Sequence, residues 1–482
     1  MAPDVVDAPT GERRRRRAAL AAAAVLAAVL PLASPTPAHG ATVSTWQAFV
    51  AAIDPPTCPP TGVVEVTLGS DLEGPGEVVP VGCSTVLHLS THELQLGSLD
   101  VQEQVSLAIR GSASGRLVAD GPFGEPGIRI VAGSGSSLSI EGGTIEASGG
   151  FGAAGIGGRP EEDGGIVYVF GGSVTADGGS LAAGIGGGRQ ASGGVVHVEA
   201  GSVVARGGDN GAGIGGGTAG DGGELVVSGG SVTATSGFNA AAIGGGGGGD
   251  QGGLVRVDGG TVTATAGLNG AGIGGGGGGG SGGSVAILGG RVEATGGLGG
   301  AGIGGGSVGD GGQVAIGGTA VVEARGGAAA AGIGGGLGGA GGSVEITGGT
   351  VVAEGRSAEV AAPTPELLGG AGIGGGPGLG GATEPAGSVT ISAGTVTAIA
   401  GDRAAGIGAG THGSGGRVEI SGGEVVARAG DDGTAVGGFK IPPDAMPGLE
   451  PSPFGFLKIT GGVLRVASRM VVPGSVAPAS QV

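Results

Sequence analysis

Residues 267–297 read GLNGAGIGGGGGGGSGGSVAILGGRVEATGG, and the recurrence of this stretch along the chain decides the fold. More than half of its residues are glycine, a composition typical of flexible linkers. Three apolar phrases interrupt the glycine: Ile273 alone, Val285 with Ile287, and Val292 with Ala294. Val-x-Ile and Val-x-Ala have the alternation of strands that bury one face. The stretch therefore predicts two short strands and a third apolar contact, joined by glycine corners.

The same pattern returns about every 30 residues. Copies aligned on AGIGG are separated by 29, 29, 29, 30, 30, 30, 40 and 34 residues. A divergent copy, TAVGG around Val436, follows after 29 more residues. A flexible linker has no reason to keep such a period. The Val-x-Ala phrase ends in alanine in all ten copies, among them Ala234, Ala264 and Ala294. The predicted inward isoleucines are Ile156, Ile185, Ile214, Ile243, Ile273, Ile303, Ile333, Ile373 and Ile407.

A repeat of about 30 residues with three short β segments predicts an all-β, right-handed parallel β-helix, in which like residues stack from coil to coil. Val-x-Ile-x-Gly-Gly-x-Val-x-Ala also fits a hairpin with Gly-Gly at the turn. We prefer the coil because AGIGG has no partner in a hairpin but forms the third side of a coil. The 40- and 34-residue steps also keep all three phrases and add length only between them.

The repeats divide the chain into five parts. We expect a signal peptide at 1–40, an N-terminal cap with irregular first coils at 41–140, and glycine-rich coils at 141–437. A proline-rich insertion and the final coil follow at 438–472, and a disordered tail at 473–482. Arg13–Arg17 precede an apolar run of about 16 residues and small residues near Gly40, which favours a cleaved leader. The alternative is an uncleaved membrane anchor.

Cysteine content and charge narrow the function class. In an exported chain Cys58 and Cys83 are expected to form a disulfide, with two free buried thiols as the alternative. The net charge of −18 argues against a nucleic-acid partner, which requires a basic face. No second apolar run is long enough for a membrane helix, so we expect no integral membrane domain in the mature chain.

Two longer phrases carry a family resemblance. STVLHLSTHELQLGSLDVQEQVSLAIRGSASGRL and GGAGIGGGLGGAGGSVEITGGTVVAEG resemble bacterial secreted and cell-surface parallel β-helix proteins with GAGIGGG repeats. Many of those are described as adhesin-like or carbohydrate-binding. The resemblance covers roughly residues 42–470 and is specific for architecture, because a solenoid hosts many functions. The glycine-rich PGRS surface proteins are also similar in composition, but their GGAGG triplets lack the Val-x-Ile and Val-x-Ala strands.

Few residues in the repeats are candidates for a catalytic or metal-binding site. Glu293 and Glu323 lie one coil apart in one outward column and are weak candidates for a catalytic carboxylate pair, with solvated surface residues as the alternative. The loop residues Asp163, Asp221 and Asp310 are candidates for calcium, although Asp-Gly is also ordinary turn chemistry. No cofactor is otherwise expected.

The outward residues give little guidance on a ligand. Threonine columns around Thr263 suggest an ice-binding face, but charged residues in the neighbouring coils leave only a short continuous threonine face. Trp46 and Tyr168 are the only Trp and Tyr, so a strong aromatic stacking site for sugar is not expected. We expect a secreted or cell-surface structural or adhesive protein that holds a polysaccharide or cell-wall glycan weakly and repetitively. The alternative is a β-helix polysaccharide lyase or glycoside hydrolase.

Overall fold

The structure is a computed structural model that describes residues 40–59, 62–248, 251–360, 366–379, 384–438 and 455–467. The predicted signal peptide, apart from Gly40, lies outside these residues, as do most of the proline-rich insertion and the predicted tail. From Ala41 onwards the chain winds as a parallel β-solenoid. Each coil contributes strands to three columns, and each strand pairs in parallel with the equivalent strand of the next coil. The prediction of an all-β parallel solenoid is confirmed.

The first column contains the Val-x-Ile strands. Its members are Ala41–Val43, Val63–Leu68, Ser84–Ser90, Ser106–Gly111, Ser137–Ile140, Ile166–Val169, Val195–Val198, Glu224–Val227, Leu254–Val257, Ser284–Ile287, Gln313–Ile316, Arg417–Ile420 and Phe456–Ile459.

The second column contains the Val-x-Ala strands. Its members are Leu72–Glu73, Glu93–Leu96, Arg116–Asp120, Thr144–Ser148, Ser173–Asp177, Ser202–Arg206, Ser231–Thr235, Thr261–Thr265, Arg291–Thr295, Val321–Arg325, Glu424–Arg428 and Val463–Val466. Two long strands, Ser343–Glu354 and Ser388–Ile399, run through both the first and the second column.

The third column contains the AGIGG phrase and forms a 13-stranded sheet. Its members are Val78–Val81, Ser98–Val101, Ile128–Ile130, Ile156–Gly157, Ile185–Gly186, Ile214–Gly215, Ile243–Gly244, Ile273–Gly274, Ile303–Gly304, Ile333–Gly334, Ile373–Gly374, Ile407–Gly408 and Val436–Gly437. The 40-residue step accommodates an antiparallel pair, Ser357–Val360 with Glu366–Gly369.

One continuous apolar core runs inside the three columns. The predicted isoleucine and alanine ladders are both buried, with every member at most 3% exposed. The strand register places Ala234 beside Ala264 and Ala264 beside Ala294, so like residues stack on like residues. Because the side chains of each strand alternate between core and solvent, a one-residue slip would expose the whole column.

The third column explains why the repeat needs glycine. The glycine after each isoleucine has a φ near +135°; Gly274 is at +136°, a value that side-chain-bearing residues rarely adopt. A Cβ on Gly274 would lie 2.0 Å from the carbonyl oxygen of Gly304 in the next coil. A hydrogen bond from Ala271 N to Gly275 O, 3.0 Å, closes the loop around Ile273. Glycine therefore permits the close stacking of adjacent coils.

A helix covers the start of the solenoid. Trp46–Ile53 begins after the N-cap Thr45, whose Oγ1 accepts a hydrogen bond from Ala48 N, and it buries Phe49 and Ile53 completely. Among the described residues no helix is long and apolar enough to cross a membrane.

A disulfide joins Cys58, after the helix, to Cys83, with Cα atoms 5.6 Å apart. Cys83 lies between the strands Val78–Val81 and Ser84–Ser90, so the bond ties the segment after the helix to an early coil.

Candidate functional site

The two candidate catalytic carboxylates lie side by side on the second column, as the sequence predicts. Glu293 and Glu323 are register partners on adjacent strands. Arg291 Nη2 lies 2.5 Å from Glu293 Oε1 and 3.4 Å from Glu323 Oε2, and Arg325 pairs with Glu323 from the other side. Like charges directly opposite each other destabilise a sheet, and these arginines offset that repulsion. The cluster is a chain of half-buried and exposed ion pairs, so neither carboxylate stands as a free acid–base partner.

The three candidate calcium ligands do not converge. Asp163 Oδ1 accepts a hydrogen bond from Ser192 N at 2.7 Å, Asp221 Oδ1 from Gln251 N at 3.0 Å, and Asp310 Oδ1 from Ala340 N at 2.9 Å. In each case the donor belongs to the following coil. Asp163 and Asp221 are two coils apart, about 10 Å at the spacing of neighbouring strands.

No group of three His, Cys, Asp or Glu side chains that could hold a metal ion occurs within the ranges that the structure describes. The loop aspartates therefore act as hydrogen-bond acceptors that join one coil to the next.

A partly buried charge network, which the sequence analysis missed, surrounds Arg129 at the start of the third column. Arg129 Nη1 donates to Asp100 Oδ1 at 2.7 Å, and Arg129 Nε to Glu162 Oε2 at 2.8 Å. Arg159 joins Asp100 to Glu125. Asp100 and Arg129 are register partners, and the next position in the column is Gly157. The network therefore covers the junction between the wider early strands and the glycine coils.

Burial and charge have opposite effects on the pKa values of this network. Burial alone would lower the pKa of Arg129, but hydrogen bonds to Glu162 and Asp100 outweigh it, so that pKa is raised. Burial alone would raise the pKa of Glu162, but its hydrogen bond from Arg129 and the attraction of that charge outweigh burial and lower the pKa. Removing one partner would leave a partly buried charge uncompensated, which identifies the network as structural.

An aromatic cluster on the outer side of the first column is a candidate surface. The rings of Tyr168 and Phe170 are stacked, with centroids 6.0 Å apart and planes 8° apart. His197 is the register partner of Tyr168 on the next coil, and the centroids of their rings are 5.3 Å apart. Phe170 is 42% exposed and directly follows the strand Ile166–Val169, and Glu141 and Glu199 directly follow the neighbouring strands of the same column. Arg110 Nε donates to Glu141 Oε2 at 2.6 Å. The cluster thus combines exposed ring surface with the exposed carboxylate of Glu199.

The sequence predicts no strong stacking site, because Trp46 and Tyr168 are its only Trp and Tyr; Phe170 and His197 supply the other rings of the cluster. A signal was nevertheless present. Tyr168 lies on the strand Ile166–Val169, Phe170 directly follows that strand, and His197 follows Tyr168 by one period of 29 residues. The same face of adjacent strands therefore had to hold all three rings. His197 Nε2 is buried without a hydrogen-bond partner among the described residues.

The repeats are similar to a known family. Six segments match the family model described as "Beta helix repeat", and they cover residues 138–158, 167–189, 225–247, 285–307, 344–377 and 389–411. Each matched segment runs from a first-column strand, through the second column, to just past the third-column pair. No curated protein and no solved structure shows significant similarity to the chain. The chain folds as a parallel β-solenoid, and these six segments of it are similar to β-helix repeats.

Proposed function

We propose that this chain is a secreted or cell-surface adhesive β-solenoid, which binds a polysaccharide on its outer surface without cleaving it. The observation that carries the proposal is the cluster of Tyr168, Phe170 and His197. Aromatic faces provide apolar contact area with little loss of side-chain freedom, and neighbouring carboxylates accept hydrogen bonds from hydroxyl groups. Saccharides present both apolar ring faces and hydroxyls, so their chemistry matches this surface.

Two further features support the non-catalytic form of the proposal. Glu293 and Glu323 are each engaged by arginine. A glycosidase instead needs one carboxyl group that keeps a proton and a second that acts as base or nucleophile. The disulfide between Cys58 and Cys83 is compatible with an extracellular location, where such bonds persist.

Affinity electrophoresis of the full chain through gels that contain different polysaccharides tests the proposal. We expect retardation by at least one glycan, and less retardation for Tyr168→Ala and for Phe170→Ala. Thr263→Ala is the matched control, because Thr263 faces outward on the second column, away from the aromatic cluster. Release of reducing ends, or no retardation by any glycan, would contradict the proposal. Equal retardation of the aromatic variants and wild type would show that the aromatic cluster is not the binding surface.

A further inference from the structure

Three asparagines form a hydrogen-bonded ladder along consecutive coils. Asn210, Asn239 and Asn269 each lie four residues before a third-column isoleucine. Asn239 Nδ2 donates to Asn210 Oδ1 at 2.8 Å, and Asn269 Nδ2 donates to Asn239 Oδ1 at 2.8 Å. Because an amide nitrogen carries two hydrogens, each of these donors keeps one N–H. Both N–H groups of Asn210 and the Oδ1 of Asn269 also have no hydrogen-bond partner among the described residues.

The ladder lines an open groove of about 420 Å³, within the range of small-molecule sites. Backbone hydrogen bonds join its two sides: Gly247 N donates to Asn210 O, Gly277 N to Asn239 O, and Ser307 N to Asn269 O. Among the residues that the structure describes, none that lines the groove is charged. The lining residues are Asn210, Asn239, Gly247, Gly248, Asn269, Gly277, Gly278, Ser307 and Val308.

Glycine across the groove makes room for the amides. A Cβ at Gly247 would lie 2.9 Å from Asn239 Cβ, and a Cβ at Gly277 would lie 2.6 Å from Asn269 Cβ. The two asparagines therefore fit only because glycine faces them. This matched pair of residues occurs in two consecutive coils, so the groove repeats with the coil.

An apolar ridge accompanies the amide ladder on the same loops. Phe238, directly before Asn239, is 63% exposed, and Leu268, directly before Asn269, is 41% exposed. Leu298 holds the same position in the next coil and is 55% exposed. Asn269 N donates to Phe238 O at 3.2 Å, which keeps neighbouring loops in contact. Large apolar side chains exposed in a row commonly mark a binding surface.

We infer that this groove, with its ridge, binds an uncharged polysaccharide chain that runs along the coils. The unused amide groups match hydroxyls, the exposed apolar side chains match sugar ring faces, and the repeat of the site suits a repeating polymer. An anionic polysaccharide would need a basic group, which none of the described lining residues supplies, and would meet a chain of net charge −18. The inference rests on the proposed function and names the ligand class, at a surface separate from the aromatic cluster.

Isothermal titration of the full chain with a soluble unsubstituted glucan, and with polygalacturonate for comparison, tests the inference. Asn239→Ala removes both ladder bonds and should weaken glucan binding about fivefold or more. A second variant extends the ladder by one asparagine, which we call a rung. Gly299 occupies the asparagine position of the next coil, but a Cβ there would lie 2.8 Å from Ser307 Cβ. The paired change Gly299→Asn/Ser307→Gly copies the two glycine-faced coils and should tighten glucan binding.

The outcomes separate the two surfaces. Unchanged glucan affinity in a folded Asn239→Ala protein, or polygalacturonate binding as tight as glucan binding, would overturn the inference. Loss of binding confined to Tyr168→Ala/Phe170→Ala would overturn the groove but leave the proposed function standing. If the wild-type chain binds no glycan, both are wrong. Weaker binding for Asn239→Ala, together with tighter binding for the rung-adding pair, would support the groove.

Discussion

Replacing Gly274 with alanine should destabilise the coils on both sides of it, because the repeat depends on the close approach of third-column glycines. Gly274 has a φ of +136°, and an alanine Cβ there would lie 2.0 Å from Gly304 O. Holding a side-chain-bearing residue in a backbone region reserved for glycine costs about 1–3 kcal/mol. Overpacking that forces the backbone to shift costs about 1–3 kcal/mol more. We therefore expect a loss of about 2–6 kcal/mol.

Two other glycines provide matched controls. Gly279→Ala adds a Cβ with no atom within 4 Å, but at a φ of +110°, so it carries only the backbone strain. Gly375→Ala adds a Cβ whose nearest neighbour is 3.5 Å away, and its φ lies outside the left-handed region. By restricting the unfolded chain, this last change should be neutral or stabilising by up to about 1 kcal/mol. The expected order of stability is Gly375→Ala, then Gly279→Ala, then Gly274→Ala.

Hydrogen exchange is the suitable assay, because each coil of a solenoid contacts only its neighbours and can open locally. Peptides that cover residues 261–307 should exchange faster in Gly274→Ala than in either control, and urea unfolding followed by circular dichroism should give the overall free energy. If Gly274→Ala exchanges and unfolds like Gly375→Ala, the close approach of coils does not explain the glycine column.

Three further predictions concern the core, the charge network and the cap. Ala264→Phe should lower the free energy of unfolding by about 1–3 kcal/mol through overpacking, while Thr263→Phe on the outer side of the same strand should change it little; equal effects would contradict the inward alanine column. The lowered pKa of Glu162 means that its ionised form stabilises the folded state above the ordinary glutamate pKa of about 4.3, and that this stability is lost as pH falls through the lower folded pKa. The stability difference between wild type and Glu162→Gln should therefore shrink on acidification, and a difference that does not change with pH in urea titrations would contradict this. Replacing Cys58 and Cys83 with serine removes a disulfide that spans 25 residues and should lower the free energy of unfolding by about 3 kcal/mol. The N-terminal coils should then exchange hydrogen faster, and unchanged exchange would contradict the prediction.

The fold could be predicted from the sequence because its period and its alternation are both local. Val292 and Ala294 had to point inward on one short strand, and the 30-residue step placed Ala264 beside Ala294. The register partnership of Glu293 and Glu323 followed from the same arithmetic. Backbone stacking thus determines which residues are neighbours before any side chain is considered.

Side-chain partnerships were harder to predict, because long side chains reach across coils in ways that periodicity does not specify. The arginines beside Glu293 and Glu323, and the network around Arg129, were missed for this reason. The run Gly274–Gly280 reads as a loose loop in the sequence. In the structure Gly275 N donates to Gly304 O and Gly278 N donates to Ser307 O, so neighbouring coils hold the run in place. Glycine content alone did not reveal those bonds.

The asparagine ladder could have been predicted from the sequence. Asn210, Asn239 and Asn269 share one offset from the isoleucine column, just as the alanines do. In a solenoid every loop position is also a column, so polar loop residues at a common offset predict ladders and the grooves beside them.

The most direct test of function measures binding and polymer length in one sample. The full chain is incubated with a soluble unsubstituted glucan, and size-exclusion chromatography with light scattering follows both the complex and the length of the glucan over time. We predict that protein and glucan elute together and that the glucan keeps its length. A glucan that shortens with time would make the protein an enzyme, and a protein that elutes apart from every glycan tried would contradict adhesion.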